Sequence, residues 1–199
     1  MKEPVVSVFC VVILAGLAGC ASYPRRTPGQ QGRGDLFPII EGEKYGFVDV
    51  TGAVIVRPQF DRAWPFSEGL AVVQRGDKFG FINPSGAFVI EPAFDWAWSF
   101  SEGLACVKVG DDCGYIDHSG KVVIPATFHW AWSFSEGLAC VRVGPRLGYV
   151  DRKGDLVIPA TFDEADRFNG GLAAVKAEGR LGYINRKGER VWTEPAPRE

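Results

Sequence analysis

The sequence predicts an all-β array of five repeated units, and three observations carry that prediction. Gly46, Gly80, Gly114, Gly148 and Gly182 stand 34 residues apart, each inside a short aromatic or aliphatic frame. The hexapeptide Phe-Ser-Glu-Gly-Leu-Ala starts at Phe66, Phe100 and Phe134 and returns at Phe168 as Phe-Asn-Gly-Gly-Leu-Ala. The apolar runs between these markers are four or five residues long, β-branched, and bounded by Gly, Pro or Asp, which is the pattern of strands. A period kept without insertion is structural. A helical array of the same period needs two amphipathic helices per unit, and 25 Gly and 13 Pro among 199 residues oppose that.

Each unit reads as a three-stranded antiparallel meander. Leu70 to Gln74 is the first strand of the second unit, apolar on both faces in its equivalents, so units must pack on one another. Gly76-Asp77 is a two-residue loop with Gly first, as a type II′ turn prefers. Gly42-Glu43, Gly110-Asp111, Gly144-Pro145 and Glu178-Gly179 are its counterparts. Lys78 to Ile82 is the second strand. Asn83-Pro84-Ser85-Gly86 reads as a type I turn closed by a left-handed Gly, and every unit keeps Asp or Asn first and Gly fourth. Phe88 to Ile90 is the third strand, expected to stop at Pro92, which has no donor for a ladder. A connector from Ala93 to Gly103 follows, with one helical turn expected around Trp96 to Phe100. Phe60, Phe94, Phe128 and Phe162, with Phe66, Phe100, Phe134 and Phe168, supply rings to the core. The array is either open, elongated or superhelical, or closed into a propeller-like ring.

The first residues read as an address. Val5 to Leu17 is an apolar run short for a bilayer span and suited to a signal-peptide core. It ends in Leu17-Ala18-Gly19-Cys20, which resembles the bacterial lipobox of lipoprotein signal peptides. That resemblance implies cleavage before Cys20, acylation of its sulfur with palmitate-like chains, and a lipid-anchored mature protein, in the outer membrane if the source is Gram-negative. Glu3 beside Lys2 is a departure from the usual basic start. The domain plan is 1–19 signal peptide, 20–35 lipidated N-terminus and flexible tether, 36–192 repeat domain, and 193–199 disordered tail. The formal net charge is −2, and the mature chain keeps it. No strong field of either sign exists, which argues against nucleic acid as a partner.

The string Gly-[Tyr/Phe]-[Ile/Val]-[Asp/Asn]-x-x-Gly, then Val-Ile-x-Pro, Phe-Asp and Phe-Ser-Glu-Gly-Leu-Ala, resembles the bacterial WG-repeat family over residues 36–192. The Trp that names the family is replaced before all five glycines, by Tyr45, Phe79, Cys113, Leu147 and Leu181. The resemblance implies a β-rich repeat surface and no established chemistry.

Candidate chemistry is sparse. Asp49, Asn83, Asp117, Asp151 and Asn185 are expected to cap their own turns. Glu68, Glu102 and Glu136 recur in identical surroundings, which does not separate an acid from a base as paired catalytic carboxylates require. His118 sits at a turn tip, and His129 replaces the Asp95 of the preceding unit. Neither has a partner in the sequence, so no enzyme activity, cofactor or metal is expected. Cys106, Cys113 and Cys140 remain after processing. Cys106 and Cys113 lie diagonally on one face of a hairpin, either as a disulfide or as buried thiols.

Comparison among units isolates one variable slot. Positions 62, 96, 130 and 164 hold Arg62, Trp96, Trp130 and Glu164, and Trp98 and Trp132 stand two residues on from the two indoles. Of each Trp pair one is expected in the core and the other, Trp96 and Trp130, on the surface as a binding platform. The expected function is a non-enzymatic binding or scaffolding module for an envelope protein or glycan. The alternative is an envelope enzyme or enzyme accessory subunit.

Overall fold

The computed structural model describes residues 35–195, all within the compact unit Gly32–Glu199. The expected signal peptide, Cys20 and the expected tether up to Gly34 lie outside the described residues, as do residues 196–199.

The first sheet holds β1 (Phe37–Glu41), β2 (Lys44–Val48) and β3 (Val54–Phe60). The second holds β4 (Arg62–Ala63), β5 (Ala71–Arg75), β6 (Lys78–Ile82) and β7 (Phe88–Phe94). The third holds β8 (Trp96–Ala97), β9 (Ala105–Val109), β10 (Asp112–Ile116) and β11 (Val122–Phe128). The fourth holds β12 (Trp130–Ala131), β13 (Ala139–Val143), β14 (Arg146–Val150) and β15 (Leu156–Phe162). The fifth holds β16 (Glu164–Ala165), β17 (Leu172–Ala177), β18 (Arg180–Asn185) and β19 (Arg190–Thr193). Every sheet is antiparallel and meanders in sequence order, so the all-β repeat array is what the chain forms. No strand pairing joins the first sheet to the last among the described residues.

Two details depart from the sequence reading. The third strand does not stop at Pro92 but runs on to Phe94 through a bulge. Phe79 faces Phe94 and Phe81 faces Ile90, so two steps on β6 span four on β7. The bulge presses backbone onto the repeat glycine: a Cβ on Gly80 would lie 2.6 Å from the Ile90 carbonyl, and one on Gly114 2.6 Å from Ala126 N. That close approach is why no side chain stands in this slot in any unit. The connector holds no helical turn; it opens instead with a fourth, two-residue strand in sheets two to five. One strand therefore leaves a sheet and enters the next after a single corner residue, Asp61, Asp95, His129 or Asp163.

The turns follow the expected chemistry. Gly42, Gly76, Gly110 and Gly144 have φ near +60° and their followers do not, as type II′ requires, whereas Glu178 and Gly179 are both positive, as in type I′. Asp49 Oδ1 accepts from the N–H groups of Thr51 (2.8 Å) and Ala53 (3.1 Å), and Asn83, Asp117, Asp151 and Asn185 repeat the arrangement.

The core lies between sheets. Val72, Phe79, Phe81 and Ile90 on one face of the second sheet meet Ala97, Ala105, Val107 and Ile116 of the third, with Phe100 between them. Burying a ring such as Phe100 or Phe134 stabilises by roughly 1.5–3 kcal/mol. Polar staples repeat with the same period. Ser67, Ser101 and Ser135 donate to the carbonyls of Phe100, Phe134 and Phe168 at 2.7–2.8 Å. Glu68, Glu102 and Glu136 accept from the N–H groups of Gly103, Gly137 and Gly171 at 2.9 Å. These glutamates hold φ of 51–56° to do so, a left-handed conformation that is costly for a residue with a side chain.

Candidate binding surface

The short strands build the surface. Trp96 pairs with Lys108 and Ala97 with Val107; Trp130 pairs with Arg142 and Ala131 with Val141. A strand alternates its side chains, so Trp96 and Trp98 emerge on one side and Ala97 points into the core between them. The same holds for Trp130, Ala131 and Trp132. The expectation that one indole of each pair is core and the other free came from reading an irregular connector. In a strand both share one face, and none of the four is fully buried.

The indoles touch in series along the sheet borders. Trp64 and Trp96 have ring centroids 5.9 Å apart, Trp96 and Trp98 6.0 Å, Trp98 and Trp130 5.5 Å, and Trp130 and Trp132 6.0 Å, each pair near edge-to-face. Phe79 joins the row, 4.8 Å from Trp96 and 5.8 Å from Trp64. This row crosses two sheet-to-sheet junctions. Trp130 is the most open member named at sequence level, 39% exposed, whereas Trp96 is half-buried against Phe79 and the second-sheet core. The slot that gives Trp96 its Phe79 neighbour holds Cys113 in the next unit, which offers no ring. Trp64, Trp98 and Trp132 complete the strip, and the sheets laid side by side set their order in space.

At its two ends the variable slot is ionic or polar. Arg62 faces Gln74, and Glu164 accepts from Lys176 at 3.0 Å. Below the strip the corner carboxylates clamp two hairpins at once. Asp95 accepts from Lys78 Nζ (2.5 Å) and from the Gly110 N–H (2.7 Å), and Asp61 does the same with Lys44 and Gly76. The lysine hydrogen bonds hold both carboxyls below the usual aspartate value. Asp163 pairs with Arg146.

Cys106 and Cys113 lie behind Trp98, fully buried. Cys113 faces Lys108 and Tyr115 faces Cys106, which makes the two cysteines diagonal on one face as the register predicted. Both are free thiols here. Cys106 Sγ donates to the Ala131 carbonyl at 3.5 Å. Burial pushes the Cys106 thiol up, and the neighbouring Cys106 thiol holds Cys113 lower. Burial likewise raises Cys140 to about 12. His118 stacks on Phe100 with centroids 4.2 Å apart, its Nε2 3.2 Å from Glu68 Oε2. His129 stands at an exposed corner. Among the described residues no three His, Cys, Asp or Glu side chains converge on a metal-sized space.

No curated protein matches the sequence. Among solved structures the chain resembles a eukaryotic initiation factor, with TM-score 0.57 and 13% identity over 80% of this chain and 51% of that one. It also resembles Hsv2 of Kluyveromyces lactis, with TM-score 0.52 and 10% identity over 80% of this chain and 59% of that one. The chain thus spans little more than half the length of these propeller-like proteins, and at such identity the likeness is one of fold. The sequence pattern described as the WG containing repeat matches residues 45–79, 79–112, 114–144 and 148–180, more than half of the chain. With the repeat glycine pressed by neighbouring-strand backbone in every sheet, the chain belongs to the WG containing repeat family.

Proposed function

We propose that this protein is a non-enzymatic binding or scaffolding module of a bacterial envelope, held to the bilayer through acylated Cys20, with the indole strip as its contact surface for an envelope protein or glycan. The observation that supports this reading most is the unbroken row Trp64, Trp96, Trp98, Trp130 and Trp132. Indoles are costly to leave in water, and packing edge-to-face leaves part of each ring accessible for stacking. The slot that holds Trp96 and Trp130 also takes Arg62 and Glu164, so the fold itself does not demand an aromatic there.

Two measurements test the reading. Immobilised full-length protein should retain an envelope component that the Trp130→Ala chain, matched for melting temperature, retains poorly; equal retention removes the strip from the binding surface. Cys20→Ser should abolish incorporation of labelled palmitate and release the protein from membranes. A Cys20→Ser chain that still takes up label refutes the anchor.

A further inference from the structure

The fifth sheet exposes a face that every other sheet keeps covered. Each internal junction joins two faces of different kinds. The forward face of the second sheet is Val72, Phe79, Phe81 and Ile90; in the third it is Cys106, Cys113, Tyr115 and Ile124, and in the fourth Cys140, Leu147, Tyr149 and Ile158. All twelve are buried by the sheet that follows. The turn glycine of that following sheet rests on the last residue of the set: Gly120 against Ile90, Gly154 against Ile124, Gly188 against Ile158. In the fifth sheet the same slots hold Leu181, Tyr183 and Trp192, exposed by 51%, 45% and 49%. The first sheet has the opposite want. Its rear slots are Phe37, Ile39 and Val48, exposed or half-buried, where Ala71, Val73 and Ile82 of the second sheet are buried. Its turn glycine, Gly52, would meet nothing within 4 Å.

We propose that the forward face formed by Leu181, Tyr183 and Trp192 takes the rear face formed by Phe37, Ile39 and Val48 of a second copy of this chain, head to tail. The two faces are the two halves of a junction the chain already makes between its own sheets, so the chemistry of the occupant is set: an apolar sheet face with a turn glycine at its border. Gly52 of the second copy lies over Trp192 as Gly188 lies over Ile158. The connector here reads Phe168-Asn169-Gly170-Gly171 and lacks the glutamate that staples the internal junctions, so this contact is apolar and reversible. Because its two faces differ, it repeats from copy to copy rather than stopping at a pair. It is separate from the indole strip and stands whether or not that strip binds a ligand.

Sedimentation of the full-length chain in mild detergent is the test. Association should rise with concentration and pass beyond two copies. Tyr183→Lys and Phe37→Lys should each remain single when alone. An equimolar mixture of the two should give pairs and nothing larger, since each supplies the one intact face the other lacks. Trp192→Lys repeats the first arm at a position exposed enough for the fold to survive, and unchanged melting temperatures check that it does. A parent chain that stays single at every concentration overturns the proposal. So does a Phe37→Lys chain that associates like the parent, which would mean pairing through identical faces.

Discussion

The second strand of each unit and the short strand beside it obey opposite rules. On β2, β6, β10, β14 and β18 one slot is always Gly, because the backbone of the neighbouring strand leaves no room for a Cβ. On β4, β8, β12 and β16 the first slot is Arg62, Trp96, Trp130 or Glu164, although the backbone pairing is the same in all four. The constant slot is fixed by geometry that the chain makes with itself. The changing slot is released from that geometry and packs differently from unit to unit, Trp96 against Phe79 and Glu164 against Lys176. The contrast separates slots that the backbone dictates from slots that it leaves open, without reference to any other protein.

Gly114→Val attacks the constant slot and should be the most damaging change. Its new side chain begins 2.6 Å from Ala126 N and the Ile124 carbonyl, so backbone has to move, at a cost of about 3 kcal/mol or more. Chemical denaturation reads this as a large drop in midpoint, and a loss under ~1 kcal/mol would show that the bulge yields easily. Next come the indoles. Trp98→Ala removes a ring packed on the third-sheet core and should cost about 2–3 kcal/mol, while Trp130→Ala should cost about 1 kcal/mol. Equal losses would erase the distinction between the two slots.

A subtler comparison uses the staples. Glu102→Ala loses the bond to Gly137 N and keeps the left-handed backbone, for about 1–2 kcal/mol. Glu102→Gly loses the same bond but relieves φ of 56°, so it should cost less. The fifth unit has made that exchange at Gly170. If Glu102→Gly is the worse variant, the hydrogen bond and not the backbone dominates. The smallest effect is acid sensitivity. Asp61 and Asp95 have folded values below their unfolded ones, so the stability they add is complete above about pH 4 and fades as pH falls through the lower folded value. Asp95→Asn should flatten the acid limb of the melting curve, and an unchanged limb would remove the corner clamp as its cause.

Much of the fold was legible because its determinants are local. Lys78 to Ile82, the Gly-first loops and the Asx-capped turns are each specified within four or five residues, and the structure has them as read. The fourth strand was not, because Trp-Ala-Trp carries a two-residue period too short to outweigh the flanking Ser and Gly. The run through Pro92 was missed because Pro removes a donor, yet at a bulge no donor is needed. The glutamate staples were visible as a recurrence, but their partners lie 35 residues away across a junction no local rule describes. The strip was half legible. Trp96 and Trp130 stood out by variation among units, whereas its continuity through Trp64, Trp98 and Trp132 needs the sheets laid side by side.

The strand that turns at Asp61, Asp95, His129 and Asp163 belongs to two sheets, and this has a bearing on how such a gene can change length. Cutting the chain at a corner severs that shared strand, although the short strand keeps its pairing within the next sheet. Duplicating one 34-residue period, from whatever starting point within the array, copies one forward face, one rear face and one corner together. Growth or loss by whole periods therefore keeps each junction's two faces matched, while an indel inside a sheet can carry a turn glycine such as Gly120 or Gly154 off the isoleucine it rests on.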